Sequence, residues 1–216
     1  MQYFWILICG MFLAWPSFFI MSLVLFRQKV HDHVKPLIIS SILMGHIALL
    51  LQLYPLQIAI TLVQPIFYIF CLSFIFKFKL FYSTIMALST YFVGAVTEIC
   101  FNGLITNFKW DAFLEAQQNG VILPAVAVSL INFAVAYILN KTRIGFTFIP
   151  RQKRLDIMDI KFKKKMNIIL VVQFLFVSVA CVTLYRFEHL LILNFIIDVL
   201  LLIIIFRLLY VKELTD

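Results

Sequence analysis

Residues 37–76 read LIISSILMGHIALLLQLYPLQIAITLVQPIFYIFCLSFIF, a run with no Asp, Glu, Lys or Arg. Whether this run is one helix or two decides the topology of the whole chain. As a single helix at about 1.5 Å per residue it would be roughly twice the thickness of a bilayer core. Leu53-Tyr54-Pro55 sits near its middle. A proline there suits a tight turn better than a helix interior. The run therefore reads as two spans, 37–52 and 57–76.

Working outward on hydropathy alone gives seven spans: 3–26, 37–52, 57–76, 80–105, 121–140, 167–185 and 190–210. The connections between them alternate in charge. Loop 27–36 carries Arg27, Lys29 and Lys35, and the 77–79 turn carries Lys77 and Lys79. Loop 141–166 carries Lys141, Arg143, Arg151, Lys153, Arg154, Lys161, Lys163, Lys164 and Lys165, and the C-terminal end carries Arg207 and Lys212. The other side holds only Lys109 and Arg186, so 16 of the 18 basic residues fall on one side. Merging residues 37–76 into one span would spoil that asymmetry to 13 against 5. Cytoplasmic loops are rich in Lys and Arg, which puts the N-terminus outside and the C-terminus inside.

Composition agrees. The chain is 64% hydrophobic and 13% charged, against about 25% charged for a soluble domain. The apolar runs are continuous rather than alternating with period two, which excludes a membrane barrel and leaves helices as the spanning element. The expectation is an all-α, multi-pass helix bundle of the cell membrane, one domain over residues 1–216. The net charge of +8 is explained by the topology and by attraction to anionic lipid, so nucleic acid is not an expected partner. Cys9, Cys71, Cys100 and Cys181 all lie within spans without CxxC spacing, which argues against a disulfide framework or a zinc site.

Two connections are long. In 106–120, Trp110, Phe113 and Leu114 fall at i, i+3 and i+4, the spacing of a short helix on the outer surface. The 141–166 loop reads as a polybasic tether with an interfacial segment over Leu155–Met166. Pro16 and Pro65 lie inside spans, where they permit a kink. No internal repeat is evident, nor the paired broken helices of inverted-repeat transporters.

Ionisable groups inside a membrane are expensive and are candidate functional residues. His46, Glu98 and Asp198 are the ones here. Counting from the outer ends of their spans puts Glu98 and Asp198 roughly 12–14 Å below the outer surface. Gln64 reaches a similar depth, with Asn102 and Asn194 each one turn nearer the outside and His46 near mid-membrane. Such a layer could line an outward-opening polar cavity, and two close carboxylates there would share a proton. The competing reading makes these groups interhelical hydrogen-bond glue, the role expected of Asn132 and Gln173. Phosphate-binding glycine loops, dinucleotide fingerprints, His-Glu-x-x-His helices and Gly-x-Ser-x-Gly elbows are all lacking, so the chain is not read as an enzyme and no cofactor is expected. His31-Asp32-His33 is the one clustered set of metal-capable groups, but Arg27, Lys29 and Lys35 beside it oppose a cation, and no metal is expected.

Three stretches carry a resemblance. Lys77-Phe78-Lys79-Leu80-Phe81-Tyr82-Ser83 opens the long helix with Glu98 and Asn102. Tyr137-Ile138-Leu139-Asn140-Lys141 leads into a basic loop, and Phe206-Arg207-Leu208-Leu209-Tyr210-Val211-Lys212-Glu213 closes the last span. In this order they resemble the membrane sensor domain of accessory-gene-regulator-type (GHKL-class) peptide-sensing histidine kinases of Gram-positive bacteria. The resemblance implies an extracellular peptide or small amphipathic ligand that contacts the outer turns and the Trp110 loop. It also implies a signal carried by the last helix. That family continues into a phosphoacceptor helix and an ATP-binding domain, whereas only Val211–Asp216 follows here. The expectation is a sensor module that signals through a partner membrane or cytoplasmic protein, with a homodimer compatible. A transport component using Glu98 and Asp198 is the alternative.

Overall fold

The computed structural model describes residues 7–53, 57–106, 122–147 and 149, together with 168, 196, 199–200, 203–204, 206–207 and 209–211. Every regular element among them is helical, and no strand occurs among them. Helix α1 runs Leu7–Leu25. Helix α2 is Val34–Leu53, entered through a 3₁₀ turn at Val30–His33. Helix α3 is Gln57–Phe70 and continues through a π turn at Cys71–Ile75. Helix α4 is Leu80–Ile105 and α5 is Ile122–Thr142. Four stretches are long and apolar enough to cross a membrane: Leu7–Leu25, Val30–Leu51, Leu80–Ile105 and Ala125–Thr142. A shorter apolar helix covers Val63–Ile75. The spans expected at 167–185 and 190–210 fall largely outside the described residues, as do the 107–120 loop and the 150–166 tether.

Residues 37–76 fold back on themselves. The His33 ring lies 5.8 Å from that of Phe76 and 5.5 Å from that of Phe78, and further in Ser40 lies beside Cys71. As the residue number in α2 rises, its partner's number in α3 falls, so the two helices are antiparallel. Helix α2 has 20 residues, a full bilayer span, because it begins earlier than hydropathy indicated and takes in Val34, Lys35 and Pro36. Proline in a first turn sacrifices no hydrogen bond, and Lys35 can extend its charge towards the headgroups.

The remaining helices alternate in the same way. Gly10 of α1 packs against Gly45 of α2, and Tyr68 of α3 meets Tyr91 of α4 with ring centroids 5.5 Å apart. Helix α5 runs parallel to α1: Asn132 reaches Ser17, and further down Ala136 packs with Met21 and Val24. The connections at 26–33, 76–79 and 143–149 therefore lie at one end of the bundle. Arg27, Lys29, Lys35, Lys77, Lys79, Lys141 and Arg143 all sit there.

That end is built by a repeated device. Helix α1 stops with Arg27 in the left-handed conformation, φ 50°. The Arg27 amide donates to Val24 and the Gln28 amide to Leu23, at 3.0 and 2.8 Å, which is a Schellman closure. Arg143 ends α5 likewise at φ 56°, with the Ile144 amide on Leu139 at 3.1 Å. Lys77 follows α3 at φ 63°. Left-handed backbone strains a residue with a side chain, but a cation at a helix C-terminus offsets the macrodipole there. The 143–149 segment is then tied beneath α1. The Phe146 amide donates to the Leu25 carbonyl at 2.8 Å, and the buried Gln28 side chain donates to the Ile149 carbonyl at 3.1 Å. Gly145 is needed in this strap. Its φ is 154°, and a Cβ would stand 2.8 Å from the Leu25 carbonyl oxygen.

The core between α1, α2, α3 and α4 is filled by Phe19, Leu23, Met44, Tyr68, Leu72, Ile85 and Met86, all fully buried. Gly45 lets α1 and α2 touch, because a Cβ there would collide with the Met11 side chain. Gly45→Val is expected to destabilise the protein by about 1–3 kcal/mol through overpacking, read as a lowered melting temperature in detergent. Ile42→Val, on the exposed face of the same helix, is the control and should leave it unchanged.

Candidate functional site: polar groups inside the bundle

Glu98 lies in the second half of α4 and is half-buried. Asn102, one turn later, is buried, and its backbone carbonyl accepts hydrogen bonds from the Thr106 amide and hydroxyl at 3.0 and 2.7 Å. The Asn102 side-chain Nδ2 has no partner among the described residues. Gln64 of α3 is half-buried, one residue before Pro65. The Tyr68–Tyr91 contact sets the register of α3 against α4, and in that register Gln64 and Glu98 lie within about one helical turn of each other.

His46 shares the level of Gln64 but not its face. It is exposed on the outside of α2, and its Nδ1 lies 2.8 Å from the Ile42 carbonyl oxygen. The structure therefore does not bring His46 together with Glu98. Asp198, Asn194 and Trp110 lie outside the described residues, as does Gln173. Asn132 links helices: its Nδ2 stands 3.5 Å from the Ser17 hydroxyl, joining α5 to α1. Among the described residues no three His, Cys, Asp or Glu side chains converge. In the His31-Asp32-His33 cluster, His33 turns inward against Phe76 and Phe78 with Nδ1 3.0 Å from the Lys29 carbonyl oxygen, leaving His31 3.9 Å from Asp32.

A second polar group, which hydropathy did not signal, occupies the centre of the bundle. The buried Tyr68 hydroxyl donates to the Phe18 carbonyl of α1 at 3.0 Å. Ser22 of α1 and the Cys71 thiol lie beside that phenol, and Ser40 of α2 lies beside Cys71. Tyr91 of α4 closes the fourth side, with its ring 6.5 Å from Trp15 and 5.7 Å from Phe18. Several serines and threonines elsewhere bond to their own helix: Ser17 to Ala14, Thr90 to Met86, Thr97 to Val93 and Ser129 to Ala125. The hydroxyls of Ser89 and Tyr91 are buried and have no hydrogen-bond partner among the described residues, whereas Ser22 pairs with the Tyr68 phenol and Ser40 with the Cys71 thiol. The only sequence signal for this group is the set of small polar residues within otherwise apolar runs, such as Ser40-Ser41 and Ser89-Thr90.

No family model, curated protein or solved structure matches the chain. Chemically, the described interior offers hydroxyl, thiol and amide groups on several helices and one carboxyl group, Glu98. Tyr68→Phe removes the bond that ties α3 to α1 and is expected to cost about 0.5–1.5 kcal/mol. Thermal denaturation measures it, and a melting temperature equal to the unaltered protein would show that the bond contributes nothing.

Proposed function

We propose that the protein is a multi-pass sensor module of the cell membrane. In this reading it detects an extracellular peptide or small amphipathic ligand and signals through a partner protein. The observation that supports it most is the collection of the described loop cations at one end of an alternating bundle. That end suits the cytoplasmic leaflet, whose anionic lipids attract Lys and Arg. The opposite end, where α2 meets α3 and α4 leads towards the Trp110 loop, then faces outside, where such a ligand arrives. The tightly filled core between α1 and α4 suits a body that transmits a shift between helices. The resemblance to peptide-sensing kinase domains points the same way, as does its emphasis on the last span.

Transport is the second reading, and the observation that favours it is Glu98. A carboxyl group with Asn102 one turn away, in a helix as apolar as α4, is costly unless it is used. The two readings separate by substitution. In a sensor, a photo-crosslinking residue at position 113 captures a peptide from spent medium of the producing cells. Trp110→Ala lowers that capture about tenfold or more, as loss of an aromatic anchor does, while Glu98→Gln leaves it intact. Loss of solute uptake in Glu98→Gln and Asp198→Asn, with no peptide captured, would replace the sensor reading by transport. Orientation has its own check. In a cysteine-free background, an impermeant thiol reagent on intact cells labels single cysteines placed at 54 and 110 but not at 153, and protection of position 110 would reverse the assignment.

A further inference from the structure

The last carbonyls of a helix have no amide partner within it. In α1 they are closed one after another. The Phe26 amide donates to Ser22, the Gln28 amide to Leu23 and the Arg27 amide to Val24. The Leu25 carbonyl is closed from elsewhere in the chain, by the Phe146 amide at 2.8 Å. The Phe26 carbonyl accepts from the Gln28 side chain at 3.2 Å, and the same Nε2 reaches the Ile149 carbonyl at 3.1 Å. The 143–149 strap is therefore part of the cap of α1, and α1 gives the strap partners for its own backbone. Backbone groups buried away from water need such partners, and Phe146 and Ile149 are both buried. The seat is shaped for glycine at 145. A Cβ there would also stand 2.9 Å from Arg27 Cγ and 3.1 Å from the Val24 carbonyl oxygen.

The strap also carries the last helix. Residues 196–211 are helical wherever they are described. The Phe146 ring meets two others: Phe26 at 5.6 Å, tilted, and Phe206 at 5.9 Å, stacked. Three residues after Phe206, Leu209 is fully buried, in the same apolar cluster as Phe26, Phe146 and Ile149. Residues three apart share one face of a helix, and Arg207, Tyr210 and Val211 beside them are exposed. The inner end of the last helix thus rests on this cluster through Phe206 and Leu209. A continuous line of contacts runs from the cap of α1, through the strap, to the last helix.

We propose that the strap is a mechanical linkage that sets the position of the last helix from that of α1. Energetic coupling travels through packed side chains and hydrogen bonds that touch one another, and this line is unbroken. Its two sides differ. The strap is joined to α1 by directional hydrogen bonds, at Leu25 and through Gln28, so it travels with the end of that helix. Its described contact with the last helix is apolar and ring on ring. A displacement of the inner end of α1 therefore reaches Phe206 through Phe146. The linkage names the route by which the sensor reading delivers its output, and rests on that reading for its purpose. The coupling itself needs no ligand.

The test uses the whole chain in lipid nanodiscs, in a cysteine-free background, with spin labels placed in pairs at exposed positions. Lys35→Cys/Tyr210→Cys measures the last helix against the bundle. Lys35→Cys/Leu80→Cys measures the bundle itself. Gln28→Leu releases the strap from α1, and Phe146→Ala removes the ring that bears on Phe206. Phe146→Leu takes its place where the alanine variant does not insert. Both releases are expected to move the first distance by about 2 Å or more, the size of helix shifts at packed interfaces, and to leave the second unchanged. A first distance that stays the same in either variant, or a second that moves with it, overturns the linkage. No ligand is added, so failure here leaves peptide capture at position 113 as it was, and failed capture leaves these distances as they were.

Discussion

A peptide group cannot be left unpaired in hydrocarbon, and everything described in this chain follows from that constraint. It forces the apolar runs into helices and confines the ends of those helices to the two faces of the membrane. The helix termini are where the chain has to solve the problem, because the last carbonyls have no partner within the helix. Three helices that end at the basic face solve it with a cation in left-handed backbone, at Arg27, Lys77 and Arg143. The usual residue at that position is glycine. A cation accepts the strain and in return sets charge against the helix dipole.

Inside the bundle the same constraint is met unevenly. Most hydroxyls in the described helices bond to a carbonyl one turn back, which is silent glue. The seam between α1, α2, α3 and α4 is different, because Ser22 and Ser40 face Tyr68 and Cys71 of α3 and the phenolic bond from Tyr68 to Phe18 crosses helices. Trp15, Phe19, Tyr68 and Tyr91 pack around that bond. Without a hydrophobic drive between helices in lipid, contact depends on small residues and polar links. Gly45, Gly94 and the serines supply the small residues, and the aromatic rings fill the remaining volume.

The candidate site was only partly legible beforehand. Charge counting and the span ends set the expected level of Gln64 and Glu98, since rise per residue is fixed in a helix. They could not give the face on which a residue lies. His46 is at the expected level but on the outer surface of α2, so depth alone overstated its connection to Glu98. The central hydroxyl group was missed because serine and tyrosine barely change hydropathy.

By itself the sequence determined that this is a multi-helix chain with helices apolar enough to cross a membrane, that residues 37–76 hold two helices, and that the described basic loops share an end. Those properties depend on composition and length along one dimension, and single residues rarely alter them. Only the tertiary structure decided that Phe19 meets Tyr68 and that Ser40 meets Cys71. Such contacts depend on rotation about each helix, where one residue turns a side chain by about 100°. The π turn at Cys71–Ile75 absorbs one such residue within the third apolar run.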